Sequence, residues 1–334
     1  MAALSSMLKQ AGNAKSPSRA HVKELKAKGN EFFRLLLRNG GICEFGKKAQ
    51  VLDAPTYDRF HNRNVLPLQL GMEEKGVFFK FFFSRNFGIA ADIFHRASIR
   101  GCPILFCSNT EVFPLGRGDK YPVPRGARGM HTLLKGTSYE RICIFADRTA
   151  SRLGEGLSLK APQPKSGIST LEDASDYLCR SAYASAKSQG KDRLLDAALL
   201  EVLFHETGHT LLGGKEGVSG ETSELFAYAF SLPNAIETRI CLSMICAVYA
   251  RGRRPSEHFY GSNDFLGKLS SSLGMGWANT QEQAASLIRC ASVPAGEIRA
   301  AASGVLGSLC ACLGVSLENM HEQVVEPARR IIYG

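Results

Sequence analysis

No CxxC pair occurs among the ten cysteines of this 334-residue chain, which are scattered from Cys43 to Cys312. Paired-cysteine metal knots and redox motifs are thereby excluded, and a chain of this length needs no disulfide scaffold to hold a core. Buried, reduced thiols are the expected state, because several, such as Cys143 and Cys246, lie in apolar runs. No apolar run reaches the roughly 20 residues that a membrane-spanning helix takes. Residues 1–20 lack any acidic side chain and also lack the apolar core of about 7–15 residues that a Sec signal carries. They read as a basic flexible leader. Their composition suits a cytoplasmic tail, a signal for export without Sec, or, as a minor alternative, a mitochondrial presequence.

The charge is unevenly spread. Residues 1–60 carry 11 Lys/Arg against 5 Asp/Glu, so +6 of the net +10 lies there. The remaining body is only mildly basic, without the interleaved lysines, arginines and aromatics of a nucleic-acid groove, so nucleic acid is not the expected partner.

What is present falls into two parts. An amphipathic helix is expected over 18–38, strands over 76–83, 104–107 and 141–145, and a helix over 89–99. Gly- and Pro-rich loops are expected at 113–129 and 154–167. From residue 171 onward the patterns are helical, broken at Gly190, Gly213-Gly214, Pro233, 252–255, 274–276, Pro294 and Gly314. The fold class is therefore α+β, a small mixed sheet followed by a mostly helical C-terminal half. Three regions are expected: the leader (1–20), a catalytic module (21–232) and a helical subdomain (233–334).

The motif that carries chemistry is His205-Glu206-Thr207-Gly208-His209. With 8 His and 21 Glu in the chain, chance supplies about 0.01 such HExxH matches. Leu194, Ala198, Val202, His205, His209 and Leu212 recur at helical spacing, so both imidazoles project from one face of a helix that is apolar for two turns before them. Two imidazoles one turn apart can bind the same Zn²⁺, and Glu206, beside the first, can act as general base toward water.

A third ligand must come from elsewhere. A metzincin requires Gly and His where this chain has Leu212 and Lys215, and the only aspartate after His209 is Asp264, in a turn-like Ser-Asn-Asp run. The active-site helix should end near Leu212 at the Gly213-Gly214 cap, with the next helix starting near Glu221. If the two are antiparallel, the 1.5 Å rise per residue places Glu224 opposite His209. Glu221, one turn earlier, is the competitor, and its bland role is to complement the helix dipole. Tyr228 either points into the same cleft or packs in the helix-pair core. His258 and Tyr260 either supply hydrogen bonds to a developing oxyanion or form a solvated loop pair.

His205-Glu-x-x-His209 followed by Ser223-Glu-Leu-Phe-Ala-Tyr228 resembles the gluzincin arrangement of zinc metallopeptidases. The resemblance spans about 35 residues and implies Zn²⁺ on His205, His209 and Glu224, with Glu206 as base. It also implies a zincin fold, in which the active-site helix packs beneath a strand such as 141–146 and an edge strand pairs with extended peptide. The leader and the single HExxH module further resemble type III secreted effector proteases of pathogenic bacteria. The expected activity is thus zinc-dependent endopeptidase cleavage of a protein or peptide substrate. The reading from a different class is a catalytically inactive zincin-fold binding protein that acts through its helical half, with 251–254 as an anionic contact. Oligomeric state and cleavage specificity have no sequence signal.

Overall fold

The computed structural model describes residues 68–74, 77–83, 87–114, 127–133, 140–160, 168, 170–212, 215, 217–250, 256–318 and 320–334. The helix expected over 18–38, and the leader, lie outside them. The described fold is mixed α+β: a six-stranded sheet, then a series of helices. Among the described residues, 68–98 and 103–148 hold the sheet in one compact unit, while 99–102 and those from 149 onward group in a helical one.

The strands are β1 (Leu68–Glu74), β2 (Val77–Phe83), β3 (Phe87–Ile99), β4 (Cys102–Pro114), β5 (Gly129–Leu133) and β6 (Glu140–Phe145). Their order in the sheet is β1-β2-β3-β4-β6-β5. β4 and β6 run parallel, with Ile104 opposite Ile142 and Cys107 opposite Phe145, whereas β1/β2, β2/β3 and β5/β6 are antiparallel. Residues 142–145 are all buried, which explains an unbroken apolar run where a half-exposed strand would alternate. β6 is an interior strand; the edges of the sheet are β1 and β5.

The helix expected over 89–99 is strand β3 instead. Arg100 and Gly101 both have positive φ, at 50° and 78°, the two-residue turn that joins neighbouring strands with matched twist. That turn commits the preceding residues, Phe87–Ile99, to a strand that pairs back on its neighbour. The rings of Phe94 and His95 lie against Phe106 of β4 at 6.4 and 5.5 Å.

The helices are α1 (Ala146–Ser158), α2 (Leu171–Ala186), α3 (Lys191–Leu212), α4 (Gly220–Asn234), α5 (Thr238–Ala250), α6 (Glu257–Ser272), α7 (Thr280–Cys290), α8 (Ala295–Leu313) and α9 (Glu326–Tyr333). α1 continues through Gly154 and Gly156, where a loop was expected. At Gly156 a side chain would run into the Tyr183 ring, so glycine there serves a helix contact and not a turn. α3 carries eleven consecutive buried residues, 194–204, which makes it a central helix covered on all sides. Phe204, Phe226, Phe230 and Phe265, from α3, α4 and α6, are fully buried around it.

Nine cysteines fall among the described residues, and all are free thiols; seven of these are buried. No helix among these residues is long and apolar enough to cross a membrane.

Candidate metal centre

Three helices bring the chemistry together. α3 ends at Leu212, and α4 starts at Gly220 behind the cap residue Ser219, whose side chain accepts a hydrogen bond from the Thr222 amide. Two glycines set the spacing. A Cβ on Gly208, inside the HExxH segment, would sit 2.8 Å from the Ala227 Cα of α4. A Cβ on Gly261 of α6 would collide with the Glu224 side chain and lie 2.9 Å from the Leu225 amide nitrogen. Both contacts require a residue without a side chain, and both occur where backbones must approach closely.

The imidazoles of His205 and His209 are perpendicular, with ring centroids 5.0 Å apart. The Glu224 carboxylate reaches both: Oε2 is 3.4 Å from His205 Nε2, and Oε1 is 3.6 Å from His209 Nε2. His258, in the first turn of α6, places Nδ1 2.8 Å from Glu224 Oε2. The side chains of His205, His209 and Glu224 are 14%, 12% and 9% exposed, against 52% for His258. The cluster is a nearly buried floor with one half-exposed histidine at its solvent side.

His209 is held from behind. Its Nδ1 lies 2.8 Å from Ser223 Oγ, which fixes the ring so that Nε2 faces Glu224. Glu206 is buried on α3, and its charge acts on both His205 and His258.

Burial is the largest single influence on the Glu224 carboxyl and pushes it up. The His205 and His258 imidazoles, with the His209 charge, outweigh that and hold the carboxyl well below the usual carboxylate range. The mirror effect raises His205 and His258: burial lowers each, and Glu224 more than compensates. One buried carboxylate is thus ringed by imidazole nitrogens that need a positive partner between them, either protons or a metal cation.

The donor set fits a metal. Ligand atoms of His205, Glu224 and His258 all lie within 4.8 Å of one another, so this group could hold a metal ion. Glu224 Oε2 is buried between His258 Nδ1 at 2.8 Å and His205 Nε2 at 3.4 Å. His209 faces the other carboxylate oxygen, Oε1, at 3.6 Å and lies outside that compact group.

Of the residues expected from sequence, His205, His209, Glu224 and Glu206 converge here, with Tyr228, buried and tilted at 45° against the His205 ring at 4.8 Å. Glu221 does not: it is exposed in the first turn of α4, the dipole position. Residues 256–260 are not a solvated loop. Ser256 caps α6, accepting from the Phe259 amide, and the helix it starts carries His258 to Glu224. Tyr260 is 41% exposed, with its ring edge-on to Phe259.

Sequence reasoning passed over Ser223, Gly208 and Gly261. A hydroxyl next to the ligand candidate and a glycine between the two histidines were the available signals; Gly261 had none. A separate cavity of about 570 Å³ lies between α6 and α8, lined by residues including Trp277, Lys268 and Val305, and none of the cluster residues borders it.

No protein-family model, curated protein or solved structure matches this chain.

Proposed function

We propose that the chain is a zinc-dependent metalloendopeptidase with a zincin-type, gluzincin-like centre. The single observation that carries this reading is the Glu224 carboxylate lying 3.4 and 3.6 Å from the two HExxH imidazoles. Imidazole and carboxylate donors in a compact, nearly buried cluster suit Zn²⁺. His205, His209 and Glu224 are the residues that would hold it. When bound, zinc supplies Lewis acidity that polarises a peptide carbonyl and lowers the pKa of water toward about 7.

The chain's own groups do the rest. Glu206 accepts a proton from the attacking water and returns it to the departing amine, the general-base and general-acid halves of one hydrolysis. Ser223 keeps the His209 ring in place. Tyr228, packed on His205, holds that ring from the side. The substrate is a protein or peptide, and the acid-free leader supports a secreted effector exported without a Sec signal as its setting.

Replacing Glu206 by Gln tests the reading directly. The variant is expected to bind zinc as the parent does while hydrolysis, read by unbiased peptide profiling in a lysate, falls by at least about 100-fold. Equal cleavage by both proteins would overturn the assignment of Glu206. Absence of zinc-dependent cleavage by the parent would favour a binding role for the fold.

A further inference from the structure

We propose that His258 is a positioning residue of the metal centre: its Nδ1–H donates to Glu224 Oε2 and holds the carboxylate between the two HExxH imidazoles, without itself binding the metal. This rests on the metal reading above and gives a role to a residue that reading leaves unused. Three observations carry it.

First, the three imidazoles do not stand alike around the Glu224 carboxylate. His258 Nδ1 is 2.8 Å from Oε2, the length of a hydrogen bond to an ionised acceptor. His205 Nε2 and His209 Nε2 are 3.4 and 3.6 Å from their nearest carboxylate oxygens, beyond that length. A carboxylate only accepts, so the proton in the short contact is on Nδ1. A ring nitrogen that carries a proton has no lone pair to give a cation, and Nδ1 is the nitrogen with which His258 meets the cluster.

Second, two glycines fix α6 against α4 on either side of the pair. A Cβ on Gly220, at the start of α4, would collide with the Glu257 carboxyl. A Cβ on Gly261 would collide with the Glu224 side chain and lie 3.0 Å from the Glu221 carbonyl oxygen. His258 lies between Glu257 and Gly261 in the chain, in the first turn of α6. Close backbone approach, which only glycine permits at these two points, therefore delivers the imidazole to Oε2. The donor is in place through helix packing, before any cation is bound.

Third, burial separates His258 from the ligand side chains. His205, His209 and Glu224 are nearly buried, whereas the His258 ring is half-exposed. It covers the carboxylate from the solvent side and leaves the inner side of the cluster to the two HExxH imidazoles. The compactness of the His205, Glu224 and His258 set then reflects two ligands and the donor that orients one of them, as carboxylate ligands are commonly hydrogen-bonded from outside the shell. Three protein ligands keep a position open for the water on which Glu206 acts.

The test uses the full-length chain and zinc alone. Zinc affinity is measured by competition with a chromophoric chelator, and X-ray absorption counts the imidazoles bound, for the parent, His258→Asn, His258→Leu and His258→Ala. Far-UV circular dichroism of each metal-free chain establishes that it is folded. The asparagine amide can donate from near the place of Nδ1, whereas leucine keeps bulk without a donor. Two imidazoles are expected in every chain. His258→Leu and His258→Ala should lose about 10–100-fold in affinity, the cost of losing a group that orients a metal ligand, and His258→Asn should recover most of that loss. A third imidazole in the parent that disappears from the variants would make His258 a ligand and overturn the proposal. Parent affinity in the donor-free chains, or an asparagine chain as weak as the leucine one, would also overturn it and leave the zinc reading standing. A parent that binds no zinc would overturn both. If one donor-free variant fails to fold, the other decides.

Discussion

Ser223 and Glu224, adjacent in sequence, address opposite nitrogens of one histidine: Ser223 Oγ lies 2.8 Å from His209 Nδ1, and Glu224 Oε1 lies 3.6 Å from its Nε2. Successive residues on a helix diverge by about 100°, and His209 sits in the angle between them. The first turns of α4 therefore both orient the ring and face its inner nitrogen. Removing the hydroxyl should leave the fold intact and loosen the ring. Ser223→Ala is expected to lower zinc affinity by about 10–100-fold, the cost of losing a group that orients a metal-binding histidine. Chelator competition reads this, and an unchanged affinity would show that the ring is positioned by packing alone.

The HExxH helix and the glutamate opposite it were legible because both depend on short-range geometry. His205 and His209 are one turn apart on any helix, and the count from the Gly213-Gly214 break to Glu224 uses only the helical rise. His258 was not legible in the same way. It is 34 residues beyond Glu224, and its arrival depends on how α6 crosses α4, which Gly261 permits and no local pattern announces. β3 was misread for a related reason: 89–99 carries enough alanine and spacing for a helix, and the Arg100-Gly101 turn with its partner strand decided otherwise.

Two glycine-to-alanine substitutions should move stability in opposite directions. At Gly208 the added methyl meets backbone, 2.8 Å from Ala227 Cα, and α3 cannot yield without moving α4. A loss of about 1–3 kcal/mol is expected. At Gly304, in the middle of α8, nothing lies within 4 Å of the added carbon and the site is exposed. Here the helix propensity of alanine should add up to about 1 kcal/mol. Thermal or urea unfolding checks both; equal signs would show that the α3/α4 contact is looser than drawn.

Lys215, three residues beyond α3, donates from Nζ to the carbonyls of Leu313 and Gly314, each at 2.7 Å. Those carbonyls end α8, where the helix leaves acceptors unpaired and its dipole favours a cation. The segment between the two halves of the metal cluster is thereby tied to a third helix. Lys215→Met keeps the aliphatic stem and removes the charge. About 1 kcal/mol of stability should be lost, and hydrogen exchange in residues 217–220 should quicken, because that segment loses its anchor. Unchanged protection there would mean that the Ser219 cap alone holds the start of α4.

The cysteines should separate by environment when the folded protein is alkylated. Cys312 is exposed, and the thiolate is the reacting species. Cys290 is buried, and burial pushes its thiol up to about 11, against a smaller lowering by Arg289. Burial raises Cys246 as well, with the neighbouring Cys290 and Cys179 adding to it. At pH 8 iodoacetamide is therefore expected to label Cys312 first among the described cysteines, with Cys246 and Cys290 labelled only as the helical unit opens. Mass spectrometry of a time course reads the order. Raising the pH to 9 should leave Cys290 protected, since its thiolate fraction stays small below 11 and its access does not change. Early labelling of Cys290 would show that α7 detaches from the helical unit far more readily than its burial implies.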